Sequence, residues 1–168
     1  MDTFVEQIIV RKKTPQQVML AIMIMMLTSF LVVFTWVRLG PVALIVIAAL
    51  GYGMWWLLSG MNIEYEYCIT NGDIDIDKIT ARRKRERVVS VSLQKVETAG
   101  VYRPEQWVER GVDRLVLAAP SEKEEGLYCF SYRSKKRGHT LVVFQPNERV
   151  MEAFKQGLPR LIQRDLEK

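Results

Sequence analysis

The sequence predicts a membrane α-hairpin followed by an α+β soluble domain. Three observations predict it. Two uncharged apolar runs lie near the N-terminus with three residues between them, an alternating run is broken by Asn71-Gly72, and an amphipathic helical pattern comes near the C-terminal end.

The first run, Val18 to Val37, reads VMLAIMIMMLTSFLVVFTWV, 20 residues without a charge. A helix of that length rises about 30 Å, the thickness of the hydrocarbon core. The second, Pro41 to Leu58, is also uncharged. Only Arg38-Leu39-Gly40 separates them, so the chain must turn and re-enter at once. Helices over 18–37 and 41–58 then form a two-helix transmembrane hairpin within residues 14–60.

The ends of the runs agree. Thr14-Pro15-Gln16-Gln17 fits a capping box with proline at the first helical position. Trp36 marks one membrane surface, and Trp55 and Trp56 mark the other. Ala49 and Gly53 give a small-xxx-small spacing that would let the first helix approach closely. Neither span contains an ionisable residue, so a proton or ion path made by this chain alone is not expected. A cleaved signal peptide fits poorly, because the apolar run is too long and lacks an A-x-A pattern.

Arg11, Lys12 and Lys13 precede the first helix, and only Arg38 lies in the loop. The positive-inside rule puts the N-terminus in the cytoplasm, and two spans return the chain there. The expected location is the cell membrane, multi-pass, with both termini cytoplasmic. In residues 1–13, Phe4, Val5, Ile8 and Ile9 share a helical face, as in an interfacial helix on the inner leaflet. A frayed tail, or an arm packed on the soluble domain, is equally compatible.

The mean hydropathy of +0.01 averages two unlike parts. Before residue 61 there are four basic and two acidic residues, which leaves 20 basic and 17 acidic in the remainder. Residues 61–168 are thus only mildly basic, and the overall charge is no nucleic-acid signature.

Within that part, Ile63 to Thr70 alternates apolar and mostly polar residues. Asn71-Gly72 follows as a hairpin turn, and Asp73 to Asp77 alternates again. A two-residue turn pairs Ile69 with Ile74 and Tyr67 with Ile76, which matches the apolar faces. Ile79 falls out of phase, so a bulge or strand end is expected there. Val89, Val91 and Leu93 indicate a third strand, and Leu115 with Leu117 another. Leu127–Tyr132 and Thr140–Phe144 read as a pair. Pro104 to Val108 fits a turn or a short helix. Asn147 can cap a final helix whose apolar face is Val150, Met151, Phe154, Leu158, Leu161 and Ile162, with a kink or break at Pro159.

The result is about seven short antiparallel strands closed by a C-terminal helix. This order resembles a bacterial pleckstrin-homology-like domain, an antiparallel β-barrel or sandwich, behind a two-helix membrane hairpin. MDTFVEQIIVRKKT and EYEYCITNGDIDIDKI further resemble segments of a family of small bacterial membrane proteins of unknown function. The resemblance implies a fold and a membrane location, and it carries over no catalytic residue.

Chemistry-bearing clusters are few. Cys68 and Cys129 lie in separate strand-like runs, and His139 is the single histidine. Zinc, haem and Ser-His-Asp or Cys-His catalysis therefore have almost no material, and no cofactor is expected. A cytoplasmic domain keeps both cysteines as thiols. Asp73, Asp75 and Asp77 have calcium-loop spacing, but Lys78 and Lys84 stand where glycine and glutamate are needed. On a strand the three carboxylates share a solvent face.

Two basic groups remain, Arg82, Arg83, Lys84, Arg85 and Arg87, and then Arg133, Lys135, Lys136 and Arg137. Near an anionic leaflet each such residue contributes about 1 kcal/mol. No aromatic interleaving accompanies them, so no nucleic acid is expected as a partner. The function expected is a membrane-tethered, non-enzymatic binding or scaffold module contacting a protein partner, anionic lipid headgroups, or both. The alternative is an accessory subunit of a transport or envelope-assembly complex, associating through the hairpin at Ala49 and Gly53.

Overall fold

A computed structural model describes residues 4–103, 111–134 and 138–166, apart from the side chain of residue 165. The turn or short helix expected over Pro104–Val108 lies outside the described residues.

Strand β1 (Phe4–Val10) opens the chain. Helix α1 (Pro15–Leu39) follows, capped by Thr14, with the capping box to Gln17 present on both sides. A 3₁₀ turn, Gly40–Val42, leads into α2 (Ala43–Gly60). Helical structure therefore runs nearly unbroken over Pro15–Gly60, which by length and composition is one candidate membrane-spanning run, apolar and unburied, where two spans over 18–37 and 41–58 were expected. Gly40 interrupts it with φ 55° and ψ −135°, far from helical values.

The hydroxyls of Thr28, Ser29 and Thr35 donate to the carbonyls of Ile24, Met25 and Leu31, one turn back. This satisfies each hydroxyl within its own helix.

The remaining strands form two four-stranded sheets. The first has the order β1, β2 (Ile63–Thr70), β3 (Asp73–Thr80), β4 (Lys84–Ser92). The second has the order β5 (Val96–Val101), β7 (Tyr128–Ser134), β8 (Gly138–Phe144), β6 (Arg114–Ala118). Helices α3 (Glu148–Gly157) and α4 (Arg160–Leu166) end the described chain.

The β2–β3 turn pairs Ile69 with Ile74 and Tyr67 with Ile76, in the expected register. Asn71 and Gly72 take φ 50° and 85°, as a tight two-residue turn demands. The irregularity expected at Ile79 lies earlier, where β4 inserts Val88 between the partners of Ile76 and Asp77.

Several expectations are corrected. The sheets are separately hydrogen-bonded and do not close into a barrel. Eight strands occur among the described residues rather than about seven. The sheets are not wholly antiparallel either, because β6 runs parallel to β8. The chain after β6 returns through 119–127 before β7 starts, so β7 takes the antiparallel place beside β8.

The added strand is β1. Its segment is no helix on the leaflet but an arm built into the domain, antiparallel to β2, with Val10 opposite Glu64. Gln7 holds it from the inner side. Its Nε2 donates to the Gln145 carbonyl at 3.1 Å, and its Oε1 accepts from the Asn147 amide at 2.8 Å.

This pairing constrains the helical run. The Arg11 amide donates to the Ile63 carbonyl at 2.9 Å, so the two flanks of Pro15–Gly60 meet at one end of the first sheet. A straight, unbroken helix of 46 residues would hold its ends about 70 Å apart.

The core lies between the sheets. Tyr67, Ile69, Ile74 and Ile76 of the first face Phe130, Val142 and Phe144 of the second, and α3 adds Val150 and Phe154. Phe154 sits 5.4 Å and 5.1 Å, centroid to centroid, from Phe130 and Phe144. Asn147 caps α3 by accepting from the Val150 amide at 2.8 Å. Helix α3 stops at Gly157 and α4 resumes at Arg160, the break that Pro159 predicts. Leu161, expected on the apolar face, is instead 78 % exposed, because after the break it is Ile162 and Leu166 that pack against the core.

Candidate functional site: the helix-bearing end of the first sheet

Three connections emerge at the end of the first sheet where the helical run begins and ends. They are residues 11–14, residues 61–62 and the turn Ala81-Arg82-Arg83. The Ala81 amide donates to the Asn62 carbonyl at 2.8 Å, which seats the β3–β4 turn against the end of α2. Ala81 and Arg82 both have positive φ, 56° and 55°, which makes the turn tight.

Arg83 reaches the helix itself. Its guanidinium donates to Ser59 Oγ and lies over the Trp55 ring, 5.3 Å from the centroid. Lys84, exposed, begins β4 opposite Thr80. From the other flank come Arg11, Lys12 and Lys13, and the Lys12 ammonium pairs with Glu124. Six basic residues thus surround the ends of the helices.

The six are not equally available. Arg82 Nε pairs with Glu64 at 3.1 Å on the surface. Lys13 and Lys84 form no ion pair with any described residue.

Arg85 and Arg87 do a different job. Both lie across the outer face of the first sheet. Arg85 pairs with Glu66 and approaches Asp77 at 3.9 Å. Arg87 bonds Asp77 Oδ1 through Nε at 2.9 Å and Asp75 Oδ2 through Nη1 at 2.9 Å. The bond from Asp77, then the charge of Asp75, raises the Arg87 pKa above its ordinary value. Glu66 and Asp77 are buried beneath these guanidiniums. The aspartates of β3 thus share a face as expected, but Asp77 does not face solvent. Arg85 and Arg87 neutralise the sheet and are poor candidates for headgroup contact.

Lys135, Lys136 and Arg137 lie outside the described residues. Arg133, beside them, comes within 3.9 Å of Glu97. At Gly53 an added Cβ would meet nothing within 4 Å, and Ala49 is exposed. The expected close packing of α1 on Ala49 and Gly53 is therefore not what holds these helices. Cys68 is half-buried and Cys129 buried, and neither forms a disulfide. Among the described residues no three His, Cys, Asp or Glu side chains gather as metal ligands would.

In sequence, Arg11–Lys13 serve only to orient the chain, and Arg82–Lys84 read as part of a separate basic group about 70 residues further on. The missing link was the β1–β2 pairing, which places the two basic stretches at one end of one sheet.

A family model described as bacterial PH-like domain (DUF6106) matches residues 1–164, nearly the whole chain. The chain belongs to this family. No curated protein and no solved structure matches it. The match includes the helical run Pro15–Gly60 as well as the PH-like domain. In this PH-like domain β1 lies on one side of the helical run and all the other strands on the other.

Proposed function

We propose that the chain is a membrane-tethered binding module without catalytic activity. In this reading the helical run turns back at Gly40 and crosses the membrane twice. The PH-like domain then stands at the cytoplasmic face, with its basic end against anionic headgroups and its outer surfaces open to a protein partner.

One observation carries the reading: Arg11–Lys13 and Arg82–Lys84 converge around the helix ends. Basic residues beside a span favour the cytoplasmic side, and they gain attraction from an anionic leaflet within about one Debye length. The β1–β2 pairing supports an even number of crossings, since both flanks of the run join one sheet. Tethering raises local concentration, so a weak site on the domain suffices for function.

The test uses the full chain in nanodiscs. Amides of 81–87 should exchange more slowly in phosphatidylglycerol than in phosphatidylcholine discs. Equal exchange rates would remove the headgroup reading. Protease should digest the domain in inverted membrane vesicles and spare it in right-side-out ones, and the reverse pattern would refute the orientation.

A further inference from the structure

A groove of about 440 Å³ opens between the last turns of α2 and the β3–β4 turn. Trp56, Leu57 and Gly60 line it from α2, and Thr80, Ala81, Arg83 and Lys84 line it from the turn, with the exposed lining mostly apolar. The groove is thus apolar inside and basic at one lip.

We infer that this groove seats a single anionic phospholipid of the same leaflet, with its phosphate between Arg83 and Lys84 and its upper acyl methylenes along Trp56, Leu57 and Gly60. The inference rests on the proposed membrane placement of α2 and deepens it from a diffuse basic surface to one defined site.

Three features select this occupant. The first is depth. Trp55 and Trp56 belong at the interface, so the apolar half of the groove lies at the level of the acyl chains and the basic lip at the level of the phosphates. A soluble anion would leave the apolar half unfilled, and a neutral apolar ligand would leave the cations unmatched.

The second is preorganisation. The Arg83 guanidinium is already held by Ser59 Oγ and the Trp55 ring, so little side-chain entropy is lost when it meets a phosphate. Its planar fork suits phosphate oxygens better than a point charge does. The third is availability. Lys84 has no ion-pair partner among the described residues, unlike Arg82, Arg85 and Arg87.

Gly60 supplies the discriminating variant. A Cβ there meets nothing within 4 Å, and its φ is not positive, so a side chain is tolerated and would occupy the groove without altering any charge.

Native mass spectrometry of the detergent-solubilised full chain tests the site, with phosphatidylglycerol or phosphatidylcholine titrated in. One phosphatidylglycerol per chain should be retained about tenfold more tightly than phosphatidylcholine. Gly60→Leu should weaken that retention by about tenfold, and so should Arg83→Gln with Lys84→Gln. Arg149→Gln, on the exposed side of α3 and away from the groove, should leave it intact. Circular dichroism melts run in parallel report whether each variant is folded, and if Gly60→Leu unfolds, Gly60→Val replaces it.

Graded binding of many lipids without a dominant one, equal retention of the two headgroups, or retention unaffected in folded Gly60→Leu would each overturn the site. Displacement by excess inorganic phosphate would reassign the lip to a free anion and overturn the lipid seat. If any of these occurs while exchange at 81–87 still slows in anionic nanodiscs, the diffuse basic surface stands and only the defined seat falls.

Discussion

The guanidinium of Arg83 lies over the indole of Trp55, 5.3 Å from the ring centroid, and so joins the β3–β4 turn to the last turns of α2. An exposed cation–π pair contributes about 0.5–1 kcal/mol. Replacing Arg83 with Gln should therefore leave the core intact but loosen the turn. Hydrogen exchange at the Ala81 and Arg83 amides, bonded to Asn62 and Thr80, should speed up while exchange in β2 stays unchanged. Faster exchange throughout the domain would mean that the pair supports the fold rather than the junction.

Arg87→Ala should destabilise the domain more than Arg82→Ala. Without Arg87 the buried Asp77 keeps only the longer contact to Arg85, at 3.9 Å. Stranding a buried charge-assisted partner costs about 1–3 kcal/mol. Arg82 pairs on the surface, where the loss is about 0–1 kcal/mol. Thermal melts of the full chain in detergent compare the two, and equal losses would contradict the separate roles given to these arginines.

Two glycines should respond oppositely to alanine. A Cβ at Gly157 would collide with the Leu93 side chain, whose residue is fully buried. Overpacking of that kind costs about 1–3 kcal/mol. A Cβ at Gly53 meets open space, so Gly53→Ala should be neutral or gain the roughly 0.5–1 kcal/mol that alanine holds over glycine in a helix. A large loss at Gly53 would restore it as the contact between α1 and α2.

Tyr67 should make the domain sensitive to alkali. Its hydroxyl donates to the Ala118 carbonyl and accepts from the Gln145 amide at 3.3 Å, tying the two sheets together. Burial pushes its pKa well above the ordinary 10.0, partly offset by the Gln145 amide. The folded state thus binds this proton more tightly than the unfolded chain does. That stabilisation is complete below about pH 10 and is lost as pH rises beyond it. Tyr67→Phe should reduce the alkaline loss of melting temperature. It should also cost about 1–3 kcal/mol at neutral pH, by leaving Ala118 and Gln145 without their partner. An unchanged alkaline profile in this variant would assign the effect elsewhere, for example to Tyr102, whose pKa burial also raises.

Some of this architecture was readable in the residues, for identifiable reasons. Ile69, Ile74, Tyr67 and Ile76 alternate around Asn71-Gly72, so composition and turn chemistry agree on one register. Thr14, Asn147 and Pro159 act locally, and each does in three dimensions what its neighbours in sequence imply. By contrast β1 was ambiguous because its inward position 7 is a glutamine while Phe4, Ile8 and Val10 face out. Its burial pattern follows a tertiary contact to Gln145 and Asn147, which no periodicity reports. The same blindness affected the basic stretch 82–87. Its residues read as one loop cluster, yet Arg85 and Arg87 belong to a strand and face acidic neighbours brought there by β2 and β3. The groove at Gly60 needed α2 and the β3–β4 turn side by side, which depends on both of these.

The pairing of β1 with β2 also sets an order of events during synthesis. β1 is made before either helix, and its partner follows only after the whole helical run. At roughly 5–20 residues per second that interval lasts about 3–10 s. Meanwhile the nascent β1, with Phe4, Ile8 and Val10 among its residues, waits without a neighbour. On the proposed topology, it finds one only if the second helix has brought the chain back through the bilayer. A chain that inserted one helix and not the other would leave β1 and β2 on opposite sides, with the sheet lacking its edge strand and Gln145 and Asn147 lacking the glutamine that closes them. Completion of the sheet would then act as a proofreading step on insertion, marking correctly threaded chains as folded and leaving misthreaded ones open to proteolysis.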